Sequence, residues 1–98
     1  MRDLLEGAAR DAALAPLLAS GWVLAADGNS LSKRFQFKDF SAAFGWMAQV
    51  ALAAEKLDHH PDWSNVYNRV DVVLSTHSAG GLTGLDVKLA GRMDALAG

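Results

Sequence analysis

A chain of 98 residues that is 51% hydrophobic can fill one modest core, so residues 1–98 are read as a single domain. The formal net charge of −2, with lysines and arginines scattered from Arg2 to Arg92 and no basic tract, disfavours direct nucleic-acid binding, and the absence of cysteine excludes disulfides, thiolate metal sites and cysteine nucleophiles. The start, Met1-Arg2-Asp3-Leu4-Leu5-Glu6, lacks the pattern of a secretion leader, and charges interrupt every candidate membrane span, so a cytoplasmic protein without membrane association is expected.

Leu14, Leu17, Leu18 and the alanines among them predict a helix from about Ala8 to Ala19, with Pro16 an obstacle to its interior and Ser20-Gly21 its end. Trp22-Val23-Leu24 reads as a strand, Ala26-Asp27-Gly28-Asn29-Ser30 as a turn, and Leu31 to Lys38, alternating around Phe35 and Phe37, as the returning strand of a hairpin. Asp39 is a suitable N-cap for a long helix. Phe40, Phe44, Met47, Ala51 and Ala54 form a stripe expected to face the core. Trp46, Val50, Ala53 and Leu57 form a second stripe, which a helix of another subunit could cover. The helix must stop near His59-His60, because the residue before Pro61 is pushed away from the α region.

Asn65-Val66-Tyr67 and Val70 to Thr76 read as two strands around an Asn68-Arg69 turn, the second delivering His77. After Ala79-Gly80-Gly81, Thr83 can cap a last helix with Asp86 near its third position and Leu89, Met93 and Leu96 as its buried stripe. The fold class is therefore α+β, an antiparallel sheet with helices on one face. A domain this small often buries an apolar face against a copy of itself, and a homo-oligomer is expected.

All three histidines fall between His59 and His77, at the ends of predicted elements, where side chains can converge on a cleft. Imidazoles titrate near neutrality, so two or three together can donate and accept protons in one turnover. Glu55, Asp86, Trp63 and Trp22 could add charge and aromatic walls. Each residue also has a plainer reading: His77 as a solvated side chain, Trp22, Trp63 and Trp46 as packing, Asp86 as a capping carboxylate, Glu55 as a helix surface charge. Zinc is a rival for three histidines, but adjacent His59 and His60 diverge and the i, i+4 spacing that aims two imidazoles at one ion is absent, so no metal is expected. Gly80, Gly81 and Gly84 lack the lysine and spacing of a phosphate loop, and no Gly-x-Ser-x-Gly occurs.

The order Glu55, three residues, His59-His60-Pro61, five residues, Tyr67, nine residues, His77, eight residues, Asp86 closely resembles the signature of the pterin-4a-carbinolamine dehydratase family. Gly21-Trp22, Phe35 to Phe40, Asn68-Arg69-Val70 and Thr76 to Thr83 resemble it as well. The resemblance implies a four-stranded antiparallel sheet backed by three helices in the order α-β-β-α-β-β-α, a homodimer or homotetramer, and no cofactor. It implies elimination of water from a 4a-hydroxytetrahydropterin, left behind by an aromatic amino-acid hydroxylase, to give the quinonoid dihydropterin. In that reading His59 and His77 are general acids and His60 holds the substrate and contributes base catalysis. Glu55 and Asp86 orient imidazoles or bond the pterin, Trp22 and Trp63 flank it, and Pro61 completes the substrate-binding set. Mammalian relatives carry an arginine where this chain has Leu85, so a contact from that side chain is missing. The alternative reading is an interaction module, since the same fold also serves as a dimerisation cofactor and as an assembly factor for a carbon-fixing enzyme.

Overall fold

The computed structural model describes residues 2–98. Its elements run α1 (Gly7–Ala19), β1 (Val23–Leu24), β2 (Leu31–Gln36), α2 (Phe40–Leu57), β3 (Asp62–Val66), β4 (Arg69–Leu74), a single 3-10 turn (His77–Ala79) and α3 (Gly84–Ala97). The four strands form one antiparallel sheet in the order β1-β2-β4-β3. This is the α+β fold, with the element order α-β-β-α-β-β-α, that the sequence predicts.

Alternation along the strands decides which face the helices cover. In β4 the side chains of Val70, Val72 and Leu74 are buried, while Asp71 and Val73 turn the other way. Leu31 and Phe35 of β2 join the buried set, and Leu14, Leu17, Trp46, Val50, Leu89 and Met93 meet them from the helices. The opposite face is open: Ser32 lies beside Val73, and Arg34 and Ser64 flank Asp71. Arg34 closes on Asp71 at 2.7 Å there. That hydrogen bond raises the guanidinium pKa and lowers that of the carboxyl.

Several predicted boundaries move. Helix α1 runs through Pro16, which is exposed and has only three helical residues after it, so the lost backbone bond falls in the last part of the helix. Trp22 stays outside β1 because its N–H bonds the Leu17 carbonyl at 3.0 Å and belongs to the turn that closes α1. The β3–β4 turn is Tyr67-Asn68, one residue earlier than expected. Tyr67 takes a left-handed φ of 51°, and the Asn65 side-chain amide stitches the turn by donating to the Tyr67 and Arg69 carbonyls at 3.1 and 2.9 Å.

The expected core stripe of α2 is only partly buried, since Ala54 is in the core and Met47 packs against it but the two phenylalanines do not. Trp46 and Val50, with Ala43 and Ala54, face the core, whereas Phe40 and Phe44 are 49% and 57% exposed. Both stripes are apolar at helical spacing, so periodicity cannot rank them. Packing does: the Trp46 ring lies 4.4 Å from that of Phe35, and its indole N–H donates to the Met93 carbonyl at 3.1 Å. Asp39 caps α2 by accepting from the Ala42 N–H at 2.8 Å. No helix among the described residues is long and apolar enough to cross a membrane.

Candidate active site

Helix α2 ends in a Schellman turn: Asp58 adopts a left-handed conformation (φ 51°, ψ 44°), its N–H bonds the Glu55 carbonyl at 3.1 Å, and the His59 N–H bonds the Ala54 carbonyl at 3.1 Å. The chain reverses there, and the two adjacent histidines part. His59 turns inward and keeps only 6% of its exposure, while His60 remains exposed.

Behind the turn lies a buried polar network. His59 Nε2 meets Asp86 Oδ1 at 2.6 Å. The other oxygen, Oδ2, accepts from the Thr83 N–H at 2.9 Å and the Thr76 hydroxyl at 2.7 Å. The Thr76 proton is thereby committed, so the Thr83 hydroxyl, 2.8 Å away, donates to Thr76 and accepts from the Leu85 N–H at 3.3 Å. The Thr83 N–H and the Thr76 hydroxyl both donate to Asp86, and with the carboxylate as acceptor on this side too, His59 Nε2 is assigned as the protonated nitrogen. Thr83 and Asp86 form the predicted capping box of α3, and the same carboxylate carries the imidazole of an element 27 residues away. Leu85, beside it, is buried.

His60 Nε2 lies 2.8 Å from Glu55 Oε1, five residues back on the last turn of α2. Its ring borders a cleft of about 280 Å³ on the open side of the sheet, where β4 runs out toward His77. His77 lines the same cleft from the start of the 3-10 turn. Asp27, Asn29 and Ser30 of the β1–β2 loop close one wall, and Asp62, Val73 and Ser75 complete the lining. The sequence therefore singles out two of the lining residues, His60 and His77, and passes over six.

Asp62 is paired with Val73 in the β3–β4 register and so shares its open face, while Trp63, the next residue, turns inward to within 6.1 Å of the Trp46 ring. The strand alternation that buries Val72 was the available signal for Asp62. For the loop residues no local signal existed, because Asp27, Asn29 and Ser30 read as turn chemistry.

The other expected site residues lie off the cleft lining. Glu55 reaches it only through His60, Pro61 is half-buried between His60 and Asp62, and His59 and Asp86 sit in the buried network. Trp22 is also off the lining. It is buried in the core, its indole N–H donates to the Asp94 carboxylate at 3.1 Å, and Lys33 Nζ binds the same carboxylate at 2.7 Å, so its ring is committed to packing. Among the described residues no three His, Asp or Glu side chains are grouped to hold a metal ion. The split between His59 and His60 accounts for this.

A cleft of this size suits a bicyclic heterocycle, and two imidazoles on its wall can move protons to and from it. A family model described as pterin 4 alpha carbinolamine dehydratase matches residues 3–96. A protein of Jannaschia sp. with the provisional name pterin-4-alpha-carbinolamine dehydratase is 55% identical over 97 residues, 99% of either chain. A crystal structure from Brucella melitensis, described as a transcriptional coactivator/pterin dehydratase, superposes with a TM-score of 0.87 at 52% identity, covering 98% of this chain and 100% of its own. A pterin dehydratase-like protein described as a RuBisCO assembly factor in the alpha-carboxysome is similar at TM-score 0.69 and 25% identity, over 80% of this chain and 90% of its own. The chain thus belongs to the pterin 4 alpha carbinolamine dehydratase family.

Proposed function

We propose that this protein dehydrates 4a-hydroxytetrahydropterins to quinonoid dihydropterins by histidine acid–base catalysis, and so serves tetrahydropterin recycling after an aromatic amino-acid hydroxylase. The observation that carries the reading is the convergence of His60 and His77, from the end of a helix and the end of a strand, on one cleft. Hydroxide is a poor leaving group, so an acid must protonate the C4a oxygen as the C–O bond breaks, while a base removes a proton from a ring nitrogen. The net result is one water released and no change of oxidation state.

His77 is assigned the proton donor to the C4a hydroxyl. His60, steered by Glu55, holds the substrate and accepts the ring proton. His59 is buried with its Nε2 turned to Asp86, and its contribution as a second acid passes through its other ring nitrogen. Pro61, adjacent to His60, shapes the approach to it, and Trp63, turned to Trp46 on the other face of β3, supports the strand that carries Asp62. Assistance of this kind contributes about 10²–10⁴-fold to rate, enough for an elimination that also proceeds unaided.

Stopped-flow ultraviolet absorbance of freshly generated 4a-hydroxytetrahydropterin, with and without chelator-treated protein, tests the reading. Acceleration by the wild type is the expected result; folded protein that leaves the spontaneous rate unchanged removes it. A second reading, an interaction module, draws on the exposed Phe40, Phe44 and Leu52 along α2 and on the coactivator and assembly-factor descriptions of the two similar structures.

A further inference from the structure

Helices α2 and α3 leave a groove between them that shares no lining residue with the histidine cleft. Two adjoining cavities, of about 330 and 540 Å³, have Ala53, Lys56 and Arg92 in common and so form one trough. Half-buried Ala53, Leu57 and Leu96 make its floor, and Lys56, Lys88 and Arg92 stand exposed on its rim. Gln49 and Leu52 extend it toward the start of α2. No carboxylate lines it, because the acidic residues nearest in sequence turn elsewhere, Glu55 to His60 and Asp94 to Lys33. Among the described residues the ion pairs draw on Arg2, Lys33, Arg34 and two histidines, and none engages the three rim cations. Three of the nine lysines and arginines of a chain with a net charge of −2 thus gather around one apolar trough without a partner.

Helix energetics do not account for this grouping. Lys88 and Arg92 are four residues apart on α3, a spacing at which like charges destabilise a helix. Lys88 also lies toward the N-terminal end of α3, where a cation gains nothing from the helix dipole. We infer that the groove docks an acidic amphipathic helix of a partner protein, its apolar side chains against Ala53, Leu57 and Leu96 and its carboxylates among the rim cations. Gln49 to Leu57 advance about 12 Å along α2, which accommodates two turns of a docked helix. A second copy of the chain suits this surface less, because a two-fold contact centred on the groove sets Lys56, Lys88 and Arg92 against their own counterparts. A small anion would leave the apolar floor uncovered. Docking here is separate from the chemistry of the cleft and holds whether or not pterins are turned over there.

Fluorescence anisotropy with the full chain tests the docking. The probe is a labelled peptide of about 14 residues with leucines along one helical face and glutamates flanking them, set against a scrambled peptide of the same composition. The helical peptide is expected to bind at least about tenfold more tightly than the scrambled one, and to weaken as salt is raised. An exposed ion pair contributes about 1.4-fold to 5-fold, so Lys88→Ala should cost about that factor, and the combined reversal Lys56→Glu, Lys88→Glu, Arg92→Glu at least about tenfold. Leu52→Ser, at a position 75% exposed, should cost about twofold or more. All four side chains are exposed, so melting curves matching the wild type keep loss of binding distinct from loss of fold. Equal binding of the two peptides, or binding untouched by the charge reversal, overturns the inference. Inorganic tripolyphosphate binding as tightly as the helical peptide, with Leu52→Ser silent, makes the groove a plain anion site and overturns it too. So does sedimentation in which the charge reversal breaks up a wild-type oligomer, since the groove then belongs to a second copy.

Discussion

Truncating Asp86 should be the most damaging single change near the site. Its side chain is fully buried and receives the His59 Nε2–H, the Thr83 N–H and the Thr76 hydroxyl. In Asp86→Ala the Thr76 hydroxyl can keep Thr83 as a partner, but the other two donors are left without one. A buried donor without a partner costs about 1–3 kcal/mol, and loss of the reciprocal cap on α3 adds about 1 kcal/mol. The total is about 3–7 kcal/mol, a large share of the roughly 5–15 kcal/mol that holds a domain together. For a chain of this length each kcal/mol moves Tm by about 4–8 °C, so thermal unfolding followed by circular dichroism should show a fall of at least about 12 °C. Asp86→Asn should lose much less. Its amide oxygen can still accept from Thr83 and Thr76, and its NH₂ can donate to His59 if the imidazole changes tautomer. A fall of less than about 4 °C in Asp86→Ala would refute the buried network as the tie between α2 and α3.

The remaining expectations are independent of that network. His60→Ala and His77→Ala should each lower dehydration rates by about 10²–10⁴-fold while leaving the melting curve nearly in place, since both side chains are exposed; unfolding in both would make these histidines structural. Gly91→Ala should stabilise α3 by about 0.5–1 kcal/mol, because a Cβ there meets no atom within 4 Å, and a lower Tm would mean that this face is occupied. The Arg34 hydrogen bond holds the Asp71 carboxyl below its ordinary range, so its contribution is complete above the unfolded pKa of about 3.9 and is lost as pH falls through the depressed folded value. Asp71→Asn should therefore lower Tm slightly at neutral pH, converge on the wild type at the lowest pH, and so flatten the acid limb of a plot of Tm against pH. A steeper acid limb would contradict the pairing.

Much of this architecture is written locally. The Asp39 cap, the Thr83–Asp86 capping box, the alternation of β4 and the Pro61 stop are short-range patterns, and each appears where the spacing puts it. The boundaries that moved did so through bonds with remote or unexpected partners, such as the Trp22 N–H to Leu17 and the Asn65 amide across the Tyr67-Asn68 turn. Candidate chemistry was legible as residue types. The grouping of His59, His60 and His77, the carboxylates beside them and the ordered signature are all visible along the chain.

Placement was not legible. The apolar stripes of α2 are equivalent until Phe35 and Met93 choose Trp46, and neighbouring histidines are equivalent until a Schellman turn sends one to Asp86 and the other to the cleft. The cleft itself joins the β1–β2 loop to the end of α2 and the end of β4, so Asp27 and Asp62 come to line it only when three distant segments meet. Sequence by itself determined the periodicities, the caps and the chemical inventory, because those depend on neighbours within a few residues. The direction in which each side chain points was decided by tertiary structure, because it depends on which surfaces are buried together.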